Sequence, residues 1–353
     1  MNNAKENVES ETNAQKCDIN VSPLRLTCRE ARHTFARPIL NAYGRWDIRR
    51  SIIVRLEDAS GKTGYGEIAP VPDFPGAGLD ACANHCKELG SETTEAALRN
   101  RELPPSMGFA FGSALAMMKG LEPRGGSWPM AKLLPPGPAA LFEMGKAVKA
   151  GCRTFKYKLN GVPDATEREI VEMLLESLQV SRGKLRIDAN GSIAPHKSDE
   201  CMEWLAKASG GALDFVEQPF PTGQEDAMLT LMEKHGVAVA LDESVVTKGG
   251  LDTWKNWPGP LVVKPALAGD PLKLRGWIAA RKGRTVLSSA LEGPVGLWGC
   301  LLCIGDAAPE PLGFSTGVWA EGDAWGQYTA GVMLESYSIG FEDAEAVWNS
   351  LSQ

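Results

Sequence analysis

The chain has little of what secreted, membrane-bound or nucleic-acid-binding proteins need. Residues 1–20 are polar and contain no apolar segment of the kind that a signal peptide requires, and no apolar run reaches the roughly 18 residues of a membrane span. Lys and Arg number 37 against 44 Asp and Glu, for a formal net charge of -7. This balance argues against nucleic acid or an anionic membrane as a partner. We expect a cytoplasmic protein, and the sequence, which leaves the oligomeric state open, is compatible with a monomer.

Patterns typical of zinc sites, disulfides and nucleotide sites are also missing. The four histidines are scattered, without a His-x-His pair, which counts against a zinc-dependent barrel hydrolase. Two cysteine pairs are closely spaced, Cys82 with Cys86 and Cys300 with Cys303, but neither has further ligands or a redox context. We therefore predict buried free thiols. No glycine-rich phosphate-binding motif follows a predicted strand, which argues against a doubly wound nucleotide-binding sheet.

The N-terminal part of the folded chain has the pattern of an α+β unit. With 43% hydrophobic residues the chain can form a large core, and residues 1–21 have the composition of a disordered tail. The sequence predicts strands at 24–28, 51–57 and 63–68, and then helices at 79–89, 94–101 and 107–120. Strands followed by a block of helices indicate an α+β unit. Arg49 and Arg50, just before the second strand, are expected to be solvated charges.

The remainder of the chain repeats a strand-then-helix pattern. Eight short apolar runs begin 24–31 residues apart, at 129–134, 154–159, 185–188, 213–217, 237–242, 261–264, 285–288 and 312–315. This spacing is the size of a βα unit with short loops. The pattern predicts a (β/α)8-type barrel or a close variant that lacks one helix.

Charged side chains end five consecutive strands of this predicted barrel. They are Lys156 and Lys158, Asp188, Glu217, Asp242 with Glu243, and Lys264. Singly, each has an ordinary explanation as a helix cap, a rim salt bridge or a solvated turn. Together they meet at the mouth of a barrel, where barrel enzymes carry their chemistry. Three carboxylates without His or Cys favour Mg²⁺, with Mn²⁺ as an alternative, over Zn²⁺.

The two lysines of the second barrel strand have a chemical use at such a mouth. Residues i and i+2 of a strand face the same side, so Lys156 and Lys158 point together. Alone, the Lys-x-Lys pattern would indicate an exposed strand edge. Beside a divalent cation, the charge of Lys156 would favour the neutral form of Lys158, which could then act as a general base.

These motifs resemble those of the enolase superfamily, in its muconate cycloisomerase-like subgroup. The resemblance runs from about residue 22 to residue 320 and rests on Gly64, Tyr65, Gly66, Glu67, Pro70, Lys156, Lys158, Asp188, Asn190, Glu217, Gln218, Pro219, Asp242, Glu243 and Lys264. Within the subgroup, the sequence is most similar to the o-succinylbenzoate synthase family. Arg186, the Asp-Ala-Asn-Gly run that starts at Asp188, and the pair Ser288 and Ser289 support this narrower match.

The resemblance implies a fold and a division of the chain. The fold is an α+β capping domain, completed by C-terminal residues, over a (β/α)7β TIM-like barrel. The expected units are a disordered tail at 1–21, the capping domain at 22–122, the barrel at 123–320 and a C-terminal segment at 321–353 that packs back on the capping domain.

The resemblance also implies a lyase reaction on a small-molecule carboxylate. The family dehydrates 2-succinyl-6-hydroxy-2,4-cyclohexadiene-1-carboxylate to 2-succinylbenzoate, with syn geometry, in menaquinone and phylloquinone synthesis. Mg²⁺ would be held by Asp188, Glu217 and Asp242. Lys158 would remove the proton α to the carboxylate, and Lys264 would add positive charge from the opposite face. The residues that orient these side chains or contact the substrate would be Arg186, Asn190, Glu243, Ser288 and Ser289.

Several alternatives remain at this stage. The same two-lysine site would serve an N-succinylamino acid racemase or a dipeptide epimerase, and muconate cycloisomerisation is a third option. A non-catalytic metal-binding module is a remote fourth. The loops at 37–49, 69–76 and 288–293 are candidates for holding the succinyl tail of the substrate, because loops over a rigid barrel commonly set specificity.

Overall fold

The structure, a computed structural model, describes residues 22–41, 44–72, 74–100, 102–247, 249–306, 309–319 and 323–351. The predicted disordered tail, residues 1–21, lies outside the described residues. The described chain forms a capping domain and a parallel barrel, which confirms the predicted fold class.

The capping domain is an antiparallel sheet covered by helices. Its strands lie in the order β3-β2-β1-β4. They are β1 (Pro23–Asn41), β2 (Gly44–Glu57), β3 (Thr63–Ile68) and β4 (Glu92–Thr94). The helices are α1 (Leu79–Leu89), α2 (Glu95–Asn100) and α3 (Pro105–Met118). The predicted strands at 51–57 and 63–68, which pair antiparallel, and the three predicted helices are confirmed. Strands β1 and β2 extend well beyond the predicted strands.

Two glycines let the buried helix α3 approach strand β3 backbone to backbone. A Cβ atom on Gly66 would lie 1.9 Å from the carbonyl oxygen of Ala110, and one on Gly64 would lie 2.1 Å from that of Ala114. Any larger residue would push the helix away from the sheet. The glycines that contribute to the family resemblance therefore serve the packing of the capping domain.

The described residues of the barrel form eight parallel strands. Strand β5 (Ser127–Pro129) precedes the barrel and is not one of these eight. Seven of the eight are β6 (Lys132–Leu133), β7 (Thr154–Lys158), β8 (Lys184–Asp188), β9 (Leu213–Glu217), β10 (Val239–Ala240), β11 (Leu261–Val263) and β12 (Thr285–Leu287). The eighth consists of Leu312 and Gly313, whose parallel bridges to Met130 and Ser288 close the ring. A bridge from Leu241 to Leu261 joins β10 to β11.

Seven helices connect the eight strands in the described part of the chain. They are α4 (Ala139–Lys149), α5 (Ala165–Ser181), α6 (Pro195–Ala208), α7 (Glu225–His235), the single turn α8 (Gly250–Thr253), α9 (Pro271–Ala280) and α10 (Pro294–Leu301). The eighth strand has no such partner helix among the described residues, which is the (β/α)7β arrangement.

The barrel interior is layered. Phe215, Ala240, Val262 and Val286 come from four neighbouring strands and form an apolar cluster separate from the main core. Because alternate residues of a strand face the same side, the strand ends two residues further on also face inward. Glu217, Asp242, Lys264 and Ser288 follow these four apolar residues at that spacing, so the apolar layer lies directly under the predicted charged mouth.

The C-terminal segment returns to both parts of the molecule. Strand β13 (Met333–Glu335) pairs antiparallel with β5, ahead of the first barrel strand. Helix α11 (Phe341–Ser350) packs on the capping domain, where the guanidinium of Arg29 lies 4.2 Å from the ring centre of Trp348. We propose to keep the boundaries 22–122, 123–320 and 321–353 for the three units.

The described cysteines are free thiols, as predicted. Six of them are buried and Cys28 is half-buried, while Cys17 lies outside the described residues. No helix of the described chain is long and apolar enough to cross a bilayer.

Candidate active site

A cavity of about 990 Å³ lies at the mouth of the barrel, between the strand ends and the capping domain. All eleven predicted site residues lie along its walls: Lys156, Lys158, Arg186, Asp188, Asn190, Glu217, Asp242, Glu243, Lys264, Ser288 and Ser289. The capping domain contributes Ile39, Trp46, Val71, Phe74 and Pro75 to the same cavity. The cavity is thus charged on the barrel side and mostly apolar on the cap side, which suits a ligand with both kinds of surface.

The second, third and fourth barrel strands bring one lysine between two carboxylates. Lys158, Asp188 and Glu217 lie side by side in the strand register. The Nζ atom of Lys156 is 2.8 Å from Asp188 Oδ2 and 2.8 Å from Glu217 Oε1. Both carboxylates are only 1% exposed, and charges are rarely buried this deeply unless they are paired or bind metal.

Burial and the neighbouring charges shift the pKa values of the two carboxyl groups in opposite directions. Burial raises the pKa of the Glu217 carboxyl to about 8, although Lys156 opposes the shift. The pKa of Asp188 is lowered, since the attraction of Lys156 and Lys158 outweighs the cost of burial. Burial likewise disfavours the charge of Lys156, but Asp188 and Glu217 raise its pKa above the ordinary value. Lys156 is therefore a cation held firmly by its neighbours.

The fifth and sixth strands supply a second ion pair on the other side of the mouth. Lys264 Nζ pairs with Asp242 Oδ1, and the two side chains are largely buried. The same ammonium lies 5.0 Å from the ring centre of Phe74, a capping-domain residue. Phe74 therefore covers Lys264 from above by a cation–π contact.

The donor set fits a divalent cation, although the side chains are engaged with lysines. No three His, Cys, Asp or Glu side chains of the described chain are arranged to hold a metal ion together. However, the ammonium of Lys156 already sits where a single cation contacts both Asp188 and Glu217. Asp242 ends the next strand and acts on the charges of both Lys156 and Glu217. Three buried carboxylate groups with no nitrogen or sulfur donor match the preference of Mg²⁺.

Lys158 differs from the other two lysines. Its side chain is exposed to the cavity and has no hydrogen-bond or ion-pair partner among the residues that the structure describes. Strands β7 and β11 are the second and sixth of eight, so Lys158 and Lys264 face each other across the barrel. A ligand held between them would have one ammonium group on each side.

Asn190 and Glu243 lie beside the carboxylates, where the sequence places them. The Asn190 backbone N–H donates to Asp188 Oδ1 at 3.1 Å, and its Nδ2 donates to Glu243 Oε1 at 3.4 Å. Glu243 Oε2 is buried without a hydrogen-bond partner in the described chain. Burial, together with the charge of Asp242, raises the pKa of Glu243 to about 7.

The other predicted supporting residues divide between two ends of the barrel. Ser289 Oγ donates to Glu292 Oε1 at 3.1 Å, and Ser288 Oγ donates to the Gly313 carbonyl at 3.4 Å. Arg186 borders the cavity from below, but its guanidinium donates to Asp214 Oδ2 at 2.9 Å and to the Pro311 carbonyl at 2.8 Å. These partners lie at the starts of the strands, so Arg186 supports the floor of the site.

Gln218 links the three carboxylate-bearing strands, a role that the sequence did not predict. Its φ of +41° is left-handed, and its side chain is 1% exposed. Gln218 Oε1 accepts from the Asp242 backbone N–H at 2.9 Å, and Nε2 donates to Ser244 Oγ at 2.9 Å. Its carbonyl accepts from the N–H of Gly191 at 2.6 Å. In the sequence, the only indication of this role is the position of Gln218 between Glu217 and Pro219.

The expectation that Arg49 is a solvated charge is wrong. Arg49 is 1% exposed, whereas its neighbour Arg50 is exposed as expected. The guanidinium of Arg49 is buried because main-chain carbonyl groups from the barrel and the capping domain surround it.

Comparisons with known proteins agree with this geometry. Residues 141–255 match the family described as enolase C-terminal domain-like. The o-succinylbenzoate synthase of Thermosynechococcus vestitus is 38% identical over 265 residues, which cover 73% of this chain and 81% of that protein.

Solved structures extend the similarity to the whole fold. The crystal structure of o-succinylbenzoate synthase from Thermosynechococcus elongatus BP-1, complexed with Mg in the active site, covers 92% of this chain and 99% of that chain, with a TM-score of 0.80 and 32% identity. The L-Ala-D/L-Glu epimerase from Bacillus subtilis covers 83% of this chain and 89% of its own, with a TM-score of 0.68 and 19% identity, and so shows the fold alone. The chain belongs to the o-succinylbenzoate synthase family of the enolase superfamily.

Proposed function

We propose that the protein is a dehydratase that converts 2-succinyl-6-hydroxy-2,4-cyclohexadiene-1-carboxylate to 2-succinylbenzoate and water. The observation that carries the proposal is the pair Lys158 and Lys264, facing each other across a cavity that has three buried carboxylates on its barrel side. The identity of 38% to a relative that bears this activity as its name supports the choice of substrate.

Asp188, Glu217 and Asp242 would hold Mg²⁺, with Mn²⁺ as an alternative. When bound, the ion supplies positive charge that stabilises the negative charge developing on the substrate carboxylate. Asn190 keeps Asp188 in place through the hydrogen bond to Oδ1. A ligand carboxylate that reaches this position lies between the two lysines.

Lys158 moves the proton in both halves of the reaction. In its neutral form it takes the proton from the carbon α to the carboxylate, and the electron pair of that C–H bond enters the ring system. The C–O bond to the β-hydroxyl group then breaks on the same face, and protonated Lys158 returns the proton to the departing oxygen. The products are water and an aromatic ring, so one lysine suffices for the syn geometry.

Lys264 and the capping domain stabilise the negative charge of the substrate. Lys264 stays cationic because Asp242 and Glu243 raise its pKa above the ordinary value, even though burial opposes this. It therefore places a fixed positive charge opposite Lys158. Phe74 covers this ammonium and limits the access of water, which strengthens electrostatic interactions in the site.

Racemisation or epimerisation at the same site is the second candidate. It is favoured by the position of Lys264, which faces Lys158 and could deliver a proton from the other side. An N-succinylamino acid or a dipeptide would be the substrate. This reaction requires two acid–base lysines, whereas dehydration requires one.

The experiment is a turnover assay with the purified wild-type protein and Mg²⁺. The cyclohexadiene carboxylate should lose its own ultraviolet absorbance as 2-succinylbenzoate forms, and chelation of the metal should stop the reaction. N-succinylamino acids are assayed in parallel, in D₂O, with the same protein and Mg²⁺. Deuterium incorporation with inversion, and no aromatisation, would overturn the dehydratase proposal in favour of the second candidate. Mg²⁺ binding without turnover of either substrate would leave only a metal-binding module.

We further propose that the protein works in the cytoplasm with a small-molecule carboxylate as its partner. The composition that argues against nucleic acid and membrane partners supports this setting.

A further inference from the structure

Arg49 is a buried cation that the proposed chemistry does not use. All five N–H groups of its guanidinium donate to main-chain carbonyls. Nε donates to Leu291 at 2.8 Å, Nη1 to Arg50 at 3.0 Å and Pro70 at 2.8 Å, and Nη2 to Ala69 at 2.7 Å and Ala290 at 3.1 Å. Five donors are the full capacity of an arginine side chain, so no other residue could make the same set of bonds.

Four of these five carbonyls belong to two segments that form walls of the cavity. Ala69 and Pro70 start the capping-domain loop whose later residues, Val71 and Phe74, line the cavity. Ala290 and Leu291 belong to the barrel loop after β12 and line the cavity themselves. Arg49 is not a lining residue, and it joins the two walls from behind.

Leu291 is strained, and Arg49 holds it. Its φ of +62° lies in the left-handed region, where the Cβ atom of a non-glycine residue crowds the backbone. Its carbonyl accepts from Arg49 Nε, and its N–H donates to Ser289 Oγ at 2.8 Å. Both ends of the residue are therefore fixed by side chains, which explains how the strained conformation persists.

Two buried glutamates complete the cluster and balance its charge. Glu67 Oε2 of strand β3 accepts from the N–H groups of Gly293 and Gly296, both at 2.9 Å, at the start of α10. Glu292 Oε2 accepts from the N–H of Ala290 at 2.7 Å. Both carboxylates act electrostatically on Arg49. The capping domain thus determines the shape of the loop that contains Leu291.

We propose that Arg49 is a positioning residue that holds the barrel wall at Leu291 against the cap loop that begins at Ala69 and Pro70. It thereby determines how tightly the enzyme holds the part of the substrate that contacts Leu291. The identity of that substrate rests on the proposed function, while the joining of the walls does not. Loss of the clamp should weaken substrate binding and leave the chemical step intact.

The test compares Arg49→Lys with Arg50→Lys, which changes an exposed neighbouring arginine. Lysine keeps the charge but supplies three donors on a flexible stem instead of a planar fork. For Arg49→Lys we expect KM to rise about tenfold while kcat stays within about twofold, the signature of lost binding that is equal in ground and transition states. Arg50→Lys should leave both constants unchanged. Unchanged KM in Arg49→Lys would overturn the proposal.

A second variant separates positioning from general stability. Leu291→Ala removes the lining side chain without touching Arg49, and it should also raise KM with kcat retained. In the double variant, the KM increase should be clearly smaller than the product of the two single increases, because both changes act on one contact. Multiplicative effects would show that Arg49 does not act through Leu291. Leu291→Ala also tests the wall if Arg49→Lys does not fold.

Hydrogen exchange provides a readout that needs no substrate. In Arg49→Lys, the amides of Ala290, Leu291 and Gly293 should exchange faster, and those of Arg50→Lys should match wild type. If wild type fails to turn over the cyclohexadiene substrate, the proposed function fails, and the exchange rates still decide the role of Arg49. Equal exchange in all three proteins would refute the clamp.

Discussion

The two ends of strand β9 carry one carboxylate each, the half-buried Asp214 and the buried Glu217, and these carboxylates are paired in different ways. Asp214, at the start of the strand, accepts from Arg186 Nε at 2.9 Å and from Arg284 Nη2 at 2.7 Å. Glu217, at the end, contacts the single ammonium of Lys156, which it shares with Asp188. The same strand therefore contributes to an arginine cluster at the floor of the barrel and to a lysine cluster at its mouth.

The floor uses arginine as its cation and the mouth uses lysine, and this difference indicates different functions for the two ends. Arg284 forms a two-point contact with Glu310, at 2.9 Å and 2.8 Å, a fixed geometry that lysine cannot make. At the mouth the lysines are point charges, and Lys158 has no ionic partner in the described chain. The ring of Phe215 lies over the guanidinium groups of the floor, 5.0 Å from that of Arg186. We infer that the floor stabilises the barrel and that the mouth performs the chemistry.

The largest expected effect comes from removing the unpaired lysine at the mouth. Lys158→Ala should reduce kcat by about 10³-fold, within the usual range for the loss of a general base. The thermal midpoint should not change, because the Lys158 side chain is exposed and forms no ion pair or hydrogen bond in the described chain. The affinity for Mg²⁺ should not fall, because the variant removes only a positive charge near Asp188. Steady-state turnover, calorimetry and circular dichroism measure the three quantities. A kcat within about tenfold of wild type, a barrier change of only about 1.4 kcal/mol, would remove Lys158 from the base role.

A smaller effect is expected from replacing Gln218, which supports the mouth through a hydrogen bond to the backbone of Asp242. Gln218→Leu should weaken Mg²⁺ binding by about 10- to 100-fold, as is usual for residues that orient metal ligands. The physical reason is the loss of the hydrogen bond from the Asp242 backbone N–H to Gln218 Oε1. Gln179→Leu, at an exposed position of helix α5, is the matched control. Equal Mg²⁺ affinity in the two variants would mean that Gln218 does not position Asp242.

A substitution at the floor should lower the stability of the protein and leave its catalytic activity nearly unchanged. Asp214→Asn leaves the buried Arg186 without its main counter-charge, which we expect to cost about 3 kcal/mol of unfolding free energy. Denaturant unfolding measures this loss. Turnover of the folded variant should stay within about twofold of wild type, because Arg186, although it borders the cavity, has no hydrogen-bond or ion-pair partner among the carboxylates of the mouth in the described chain. A large fall in kcat with unchanged stability would reverse the assignment of the two ends.

The sequence was informative wherever periodicity decides the outcome. The eight strand starts, and the inward position of Lys156, Asp188, Glu217 and Lys264, follow from alternation along a strand and from the shared direction of parallel strands. The capping sheet was predicted as far as its apolar alternation extends. Strands β1 and β2 continue past it, because their outer parts pair mainly with each other over the barrel.

Contacts between distant parts of the chain were beyond the sequence pattern. Arg49 looks like any charged residue beside a strand, and its partner Leu291 lies 242 positions away. Gln218 belongs to a visible motif, but its bond to Asp242 depends on how two strand ends meet. Lys156 was predicted to act mainly on Lys158, and the structure places its ammonium between Asp188 and Glu217. Its influence on Lys158 stays a prediction.

The central claim is that the carboxylates of the mouth, unlike those of the floor, hold Mg²⁺. A calorimetric Mg²⁺ titration of Glu217→Gln and Asp214→Asn, two carboxyl-to-amide changes on one strand, tests it most directly. We predict that Asp214→Asn binds Mg²⁺ as wild type does, despite its lower stability, and that Glu217→Gln shows no measurable binding. Wild-type affinity in Glu217→Gln would contradict the account.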